Sequence, residues 1–206
     1  MNAPAAARRI DLVILLHGVG SCGADLEPIA RAWARRLAGV RVVAPDAPFA
    51  GDARARQWYS VTGVTAESRA ARVAAAAVAF DAVIDAVMAQ AGTDAARTVV
   101  AGFSQGGSMA LDALRRGRDF AGLLAMATRI AAPPGRRLDG LSARVIHGEA
   151  DEVIPIREGE RTHEMLAAAG ARVDLVRVPA GGHAMDLATA KAGVGFLREV
   201  AGAGRT

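Results

Sequence analysis

Ser104 stands in Gly102-Phe103-Ser104-Gln105-Gly106, with Gly107 following. An apolar run from Thr98 to Phe103 leads into it, and a stretch with helical character over 105–116 leads out. A serine between small residues, on a turn from strand to helix, is held with its hydroxyl out above the sheet in a strained backbone conformation. The chemistry this suits is nucleophilic attack by the hydroxyl on an acyl carbonyl. The competing reading is a glycine-rich phosphate loop with an incidental serine, and no Walker-type lysine follows to support it.

A serine hydroxyl needs a base to take its proton. The chain has four histidines, His17, His147, His163 and His183. His163 falls inside a predicted helix, away from any strand end. His17 and His147 each close an apolar run and are followed by glycine, but His17 precedes the serine and His147 lies four residues before a better-placed acid. His183 ends the loop Pro179-Ala180-Gly181-Gly182-His183 after the last predicted strand. With turns of this kind the chain order is serine, acid, histidine, and His183 alone comes last. The acid that orients the imidazole should follow a strand between the two. Asp151, in His147-Gly148-Glu149-Ala150-Asp151, does so, with Glu149 and Glu152 as close rivals. Asp174 sits inside a strand, Asp139 lies in a loop before one, and Asp186 reads as a cap for the last helix.

Acyl transfer also needs donors for the developing oxyanion. One is the backbone N–H after the nucleophile, at Gln105. The other comes from the loop His17-Gly18-Val19-Gly20-Ser21, where the glycines let the backbone turn inward and the Val19 N–H is the expected donor. A simple strand-ending turn at His17-Gly18 is compatible with that role.

These residues need a scaffold, and the hydrophobic pattern supplies one. Apolar runs at Ile10–Leu16, Val40–Ala44, Thr98–Phe103, Phe120–Ala127, Ala143–His147 and Arg172–Val178 predict six strands. Between them lie helical patterns over 25–38, 66–91, 105–116 and about 157–169, and a last helix carries Leu187, Ala190, Val194 and Leu197 on one face. Alternating strands and helices imply an α/β class fold: a mostly parallel sheet of about six strands with helices on both faces. In such sheets chemistry collects at the carboxyl ends of the strands. The catalytic candidates Ser104, Asp151 and His183 fall there.

The chain has 206 residues and 52% hydrophobic composition, which fits one globular domain over 1–206. Its one cysteine, Cys22, excludes an intramolecular disulfide. The net charge of +4 raises the question of nucleic acid. The basic residues are nearly all arginine and scattered, and no basic run carries interleaved aromatics, so a nucleic-acid partner is not expected. Arg8-Arg9 ahead of Ile10–Leu16 has the outline of a twin-arginine signal. The run is too short, contains Asp11 and has no cleavage site after it. No stretch is long and apolar enough to span a bilayer. The expectations are a cytoplasmic protein with no stable membrane association, a small-molecule ester substrate, no cofactor and no metal. A homodimer is compatible with the sequence, which does not set the oligomeric state.

Leu16-His17-Gly18-Val19-Gly20, Ala44-Pro45-Asp46-Ala47-Pro48, Gly102-Phe103-Ser104-Gln105-Gly106-Gly107, His147-Gly148-Glu149-Ala150-Asp151 and Gly182-His183 occur in that order. The set resembles the phospholipase/carboxylesterase family, which includes acyl-protein thioesterases and small bacterial esterases. Arg56-Gln57-Trp58-Tyr59-Ser60-Val61, with Gly63-Val64-Thr65 after it, is similar to a bacterial esterase subgroup. The resemblance covers about 10 to 200. It implies an α/β-hydrolase fold and hydrolysis of carboxylic esters or thioesters without a cofactor. After the fourth strand the thioesterase members carry Ser-Gly, whereas this chain has Thr128-Arg129-Ile130. That departure counts against acyl-protein thioesterase activity and sets an arginine near the expected pocket, unless Arg129 is simply a surface residue of the loop.

For the acyl pocket the candidates are Trp58, Met109, Arg129 and Ile154, with Met185 nearby, although a Met or aromatic near a strand end is more often core. The connection from Ala127 to Ala143 contains Pro133-Pro134-Gly135 and little apolar content, and residues 47 to 65 are also short. Neither has room for a large lid. A serine carboxylesterase acting on short acyl chains is therefore expected, with a thioesterase or lysophospholipase as the alternative.

Overall fold

The computed structural model describes residues 9–202. Arg8, half of the arginine pair, lies outside the described residues. The elements in chain order are β1 (Leu12–Leu16), α1 (Gly23–Ala34), β2 (Arg41–Val43), β3 (Phe49–Ala50), β4 (Arg56–Gln57), α2 (Ala66–Ala75), α3 (Ala77–Ala91), β5 (Thr98–Phe103), α4 (Gln105–Arg115), β6 (Gly122–Met126), β7 (Ser142–Gly148), α5 (Ile156–Ala168), β8 (Arg172–Val178) and α6 (Leu187–Gly202).

Six strands form one parallel sheet in the order β2-β1-β5-β6-β7-β8. The central strands β1 and β6 are buried along their whole length because helices cover both faces, which is why they read as unbroken apolar runs. Side chains alternate between two cores. Leu12, Ile14, Leu16 and Val100 pack with Phe80, Ile84 and Met109 from α3 and α4. Val13, Leu15, Val99 and Ala101 pack with Leu26 and Trp33 of α1 and Phe196 and Leu197 of α6. The α/β-hydrolase architecture expected from the motif set is the one observed.

The structure departs from the sequence reading at several boundaries and in one added hairpin. The helical pattern over 66–91 is two helices, α2 and α3, meeting at Ala76 with a bend of 49°. The Ala76 N–H is shared between the carbonyls of Arg72 and Val73, and the bend lets α2 reach α4 while α3 lies along β1. α1 stops at Ala34 rather than 38. The hairpin β3–β4 was not legible, because two-residue strands are too short to show a period. The connection between β6 and β7 carries neither helix nor strand. Among the described residues, no single helix is long and apolar enough to cross a membrane.

Candidate active site

β5 ends at Phe103 and α4 begins at Gln105, which leaves Ser104 alone on the turn with φ 52° and ψ −116°. A non-glycine residue rarely adopts this backbone, and the surrounding structure must hold it there. Gly106 permits the turn to pack inward, since a Cβ there would lie 2.6 Å from the Leu16 Cβ and 2.8 Å from the His17 carbonyl. The Ser104 N–H donates to the Met126 carbonyl at 2.9 Å, and the Thr128 hydroxyl donates to the Ser104 carbonyl at 2.6 Å. The Ser104 turn is therefore fastened to the end of the neighbouring strand from both sides.

The structure brings Ser104, His183 and Asp151 together from three strand ends. The Ser104 Oγ lies 3.0 Å from His183 Nε2, and His183 Nδ1 lies 2.8 Å from Asp151 Oδ2. The other Asp151 oxygen accepts the Val153 and Ile154 N–H groups at 2.9 and 2.8 Å. With both oxygens occupied by donors, the Asp151 side chain is fully buried but not unpaired. Glu149 and Glu152, the rivals for the acid, are exposed and take no part. The loop carrying His183 crosses over β7, where a Cβ at Gly148 would collide with the Gly181 carbonyl, and the Ala150 N–H donates to that same carbonyl at 2.9 Å. Phe103 packs against the His183 ring at a centroid distance of 5.1 Å. Asp186 accepts the Thr189 N–H at 2.7 Å and caps α6.

The histidines at 17 and 147 are braces. His17 is fully buried, its Nδ1 2.7 Å from the Gly18 carbonyl and its Nε2 accepting the Ala47 N–H at 3.0 Å. Those partners demand the neutral ring protonated at Nδ1, and burial pushes its pKa below the ordinary histidine value. His147 sits under the acid loop, its Nε2 2.7 Å from the Ile154 carbonyl and 3.4 Å from Asp151 Oδ2. His163 lies within α5, as its position in the sequence implied.

Val19 is 43% exposed on the loop after β1. Among the described residues, no protein acceptor takes the Val19 or Gln105 N–H; the latter is one of the unpaired donors at the start of a helix. The Gln105 side chain has a role the sequence did not reveal. Its Oε1 accepts the Trp58 N–H at 2.7 Å and its Nε2 donates to the Tyr59 carbonyl at 2.6 Å. The hairpin pins the same loop from outside, with Gly20 N–H to Arg56 O at 3.3 Å and Arg56 N–H to Ser21 O at 2.8 Å. The Arg56-Gln57-Trp58-Tyr59 string carried this information only as a resemblance, because each bond joins residues far apart in the chain.

Two acyl-pocket candidates require correction. Trp58 and Met109 have no exposed surface and cannot touch a substrate; Trp58 packs edge-on against Phe80, and Met109 belongs to the core on the same face of the sheet. Ile154 is also buried, and its contribution is the backbone N–H to Asp151 and the carbonyl to His147. Met185 is partly buried against the second core. Arg129 alone of the four is partly exposed, and its Nη2 donates to the Val153 carbonyl at 3.3 Å. Among the described residues, no group of three or more His, Cys, Asp or Glu side chains is arranged to hold a metal ion.

Comparison with known proteins agrees with this fold. The phospholipase/carboxylesterase family model matches residues 3–200. Esterase YpfH of Escherichia coli (strain K12) is 33% identical over 177 residues, covering 85% of this chain and 76% of that protein. Acyl-protein thioesterase 1 of Neurospora crassa is 27% identical over 219 aligned positions, covering 95% of this chain and 89% of that protein. Among solved structures, the crystal structure of esterase PE8 superposes with a TM-score of 0.83 at 28% identity and covers 96% of both chains. The chain belongs to the phospholipase/carboxylesterase family and is a serine hydrolase of the α/β-hydrolase type.

Proposed function

We propose that the chain is a carboxylesterase for short acyl esters, working through Ser104, His183 and Asp151 and an acyl-enzyme intermediate. The observation that carries this is the unbroken relay of 3.0 Å from Ser104 Oγ to His183 Nε2 and 2.8 Å from His183 Nδ1 to Asp151. His183 takes the hydroxyl proton as Ser104 attacks the ester carbonyl, and Asp151 stabilises the imidazolium. The Val19 and Gln105 N–H groups receive the oxyanion. The imidazolium then protonates the departing alkoxide, and water repeats the sequence to release the acid.

The short-chain preference rests on what surrounds the serine. Of the six large apolar side chains exposed among the described residues, Val19, Phe49, Val61, Val153 and Leu187 lie on loops, the short hairpin or a helix start. Val19 and Val153, on the loops of the proposed oxyanion donor and of Asp151, are exposed apolar contacts, while Trp58 and Met109 are buried in the core. Each buried methylene is worth about 0.8 kcal/mol, and methylenes left in water gain nothing. Specificity should rise over the first few carbons and then flatten. Thioester hydrolysis is the second reading, favoured by the relative named as a thioesterase, since the same relay serves both bonds.

The test is kcat/KM across p-nitrophenyl esters from acetate to palmitate, with matched thioesters. We expect a maximum at short chains and no jump in rate at the micelle point. A maximum at long chains would reveal a deep channel and overturn the reading.

A further inference from the structure

The loop after β6 carries a positive charge toward the relay. Thr128 is bonded to the Ser104 carbonyl, and the next residue, Arg129, has its own carbonyl held by the Ser108 hydroxyl at 2.9 Å. From there the side chain reaches across to the Val153 carbonyl, two residues beyond Asp151. Arg129 thus spans from the nucleophile turn to the acid loop. It is partly buried, and among the described residues it has no salt bridge.

Burial first, then like charge, pushes the Arg129 guanidinium below its ordinary value, and the opposing pull of Glu158, Tyr59 and Asp151 does not offset this. The Asp151 carboxylate is already committed to His183 and two backbone N–H groups. Several other arginines of this chain are paired with acids, as Arg116 is with Asp81 and Asp112, and Arg144 is with Asp174 and Glu199. A partly desolvated cation beside a reaction centre and without an acid in contact is stabilised by an incoming anion.

We propose that Arg129 forms an anion subsite that selects esters bearing a carboxylate within a few bonds of the scissile carbonyl. A guanidinium presents parallel N–H donors that match the two oxygens of a carboxylate. The ester's own carboxylate therefore supplies the acid that the protein lacks at this point. The inference rests on the esterase reading above and narrows its substrate class.

Two pairs of substrates test it with the intact chain, with rates corrected for uncatalysed hydrolysis. The first pair, p-nitrophenyl hydrogen succinate and p-nitrophenyl butyrate, puts the charge on the acyl side. The second, 3-carboxyphenyl butyrate and phenyl butyrate, puts it on the leaving group. We expect kcat/KM to favour the charged member of one pair by roughly tenfold or more, as a charge-assisted bond allows. The ratio should shrink with added salt. It should fall toward one in Arg129→Ala, invert in Arg129→Glu, and be partly retained in Arg129→Lys. Turnover of the neutral esters with no charge preference in either pair overturns this inference alone, as does a preference that survives Arg129→Ala. No turnover of any ester, neutral or charged, overturns the esterase reading and the subsite with it.

Discussion

The Trp58 indole N–H donates to the His17 carbonyl at 2.9 Å, and through that bond the segment after β4 is fastened to the loop that carries Val19. Gln105 grips the same segment at the Trp58 N–H and the Tyr59 carbonyl. The two proposed oxyanion donors, Val19 and Gln105, are therefore joined through one buried tryptophan. Trp58→Phe removes the indole donor and leaves a buried carbonyl unpaired. We expect a stability loss of about 1 to 3 kcal/mol and a drop in kcat larger than any change in KM, since oxyanion contacts form mainly in the transition state. Thermal melts and ester kinetics on the variant check both. An unchanged kcat would mean that Val19 is positioned independently of Trp58.

Gln105→Glu is a sharper probe of the same joint. One carboxylate oxygen can still accept the Trp58 N–H, but the other faces the Tyr59 carbonyl, where a donor is needed. We expect this substitution to be much worse than the small change in shape suggests, by about 1 to 3 kcal/mol in unfolding free energy measured by denaturant titration. Stability equal to the native protein would show that this pair of bonds does not hold the segment.

The backbone at Ser104 makes a prediction about stability that separates two equally inactive variants. Ser104→Ala should lose turnover by about a millionfold and lose labelling by a fluorophosphonate, while keeping the strained turn. Ser104→Gly should be equally inactive yet more stable than Ser104→Ala by about 1 kcal/mol, because glycine adopts φ 52° without a Cβ clash. Labelling that persists in either variant would place the nucleophile elsewhere.

Asp151→Asn should preserve the fold and cost about ten-thousandfold in kcat. The amide oxygen can keep the Val153 and Ile154 N–H groups. The amide nitrogen then donates to His183 Nδ1 and puts the ring proton on Nε2, where it cannot accept from Ser104. The kinetic loss is expected without a matching fall in melting temperature. Equal losses in the Glu149 and Glu152 variants would remove Asp151 from the relay.

His17 links stability to pH. Its folded pKa is depressed below 6.5 by burial, so the unfolded chain binds a proton more readily than the native one. Its contribution to stability is therefore undiminished well above pH 6.5 and falls as the pH drops from there toward the folded pKa. Protonation would also set an Nε2–H against the Ala47 N–H. The melting temperature should decline between about pH 7 and pH 5, and this slope should flatten in His17→Gln. A slope unaltered by that substitution would assign the acid sensitivity to other groups.

The sequence by itself determined the sheet and the side chains proposed to react. Apolar runs alternating with helical patterns have few ways to bury both, and a parallel sheet between helices is the simplest, so β5 and β8 were read with the bounds they have. Ser104, Asp151 and His183 were legible because each follows a strand at the end where a parallel sheet exposes its loops, and because glycines at 106, 148 and 181 mark the close approaches around them. The tertiary structure alone decided what surrounds them. Trp58 looked like a pocket wall from its place in a loop, and only its bonds to His17 and Gln105, both distant in the chain, show it as core. His17 and His147 close strands beside a glycine, and only the structure shows the backbone partners that occupy their rings. Arg129 was visible as an unusual residue, but the lack of an acid opposite it depends on which side chains several separate elements bring to one place. Periodicity reports what a residue's own element requires, whereas a hydrogen bond or an unpaired charge depends on the element packed against it.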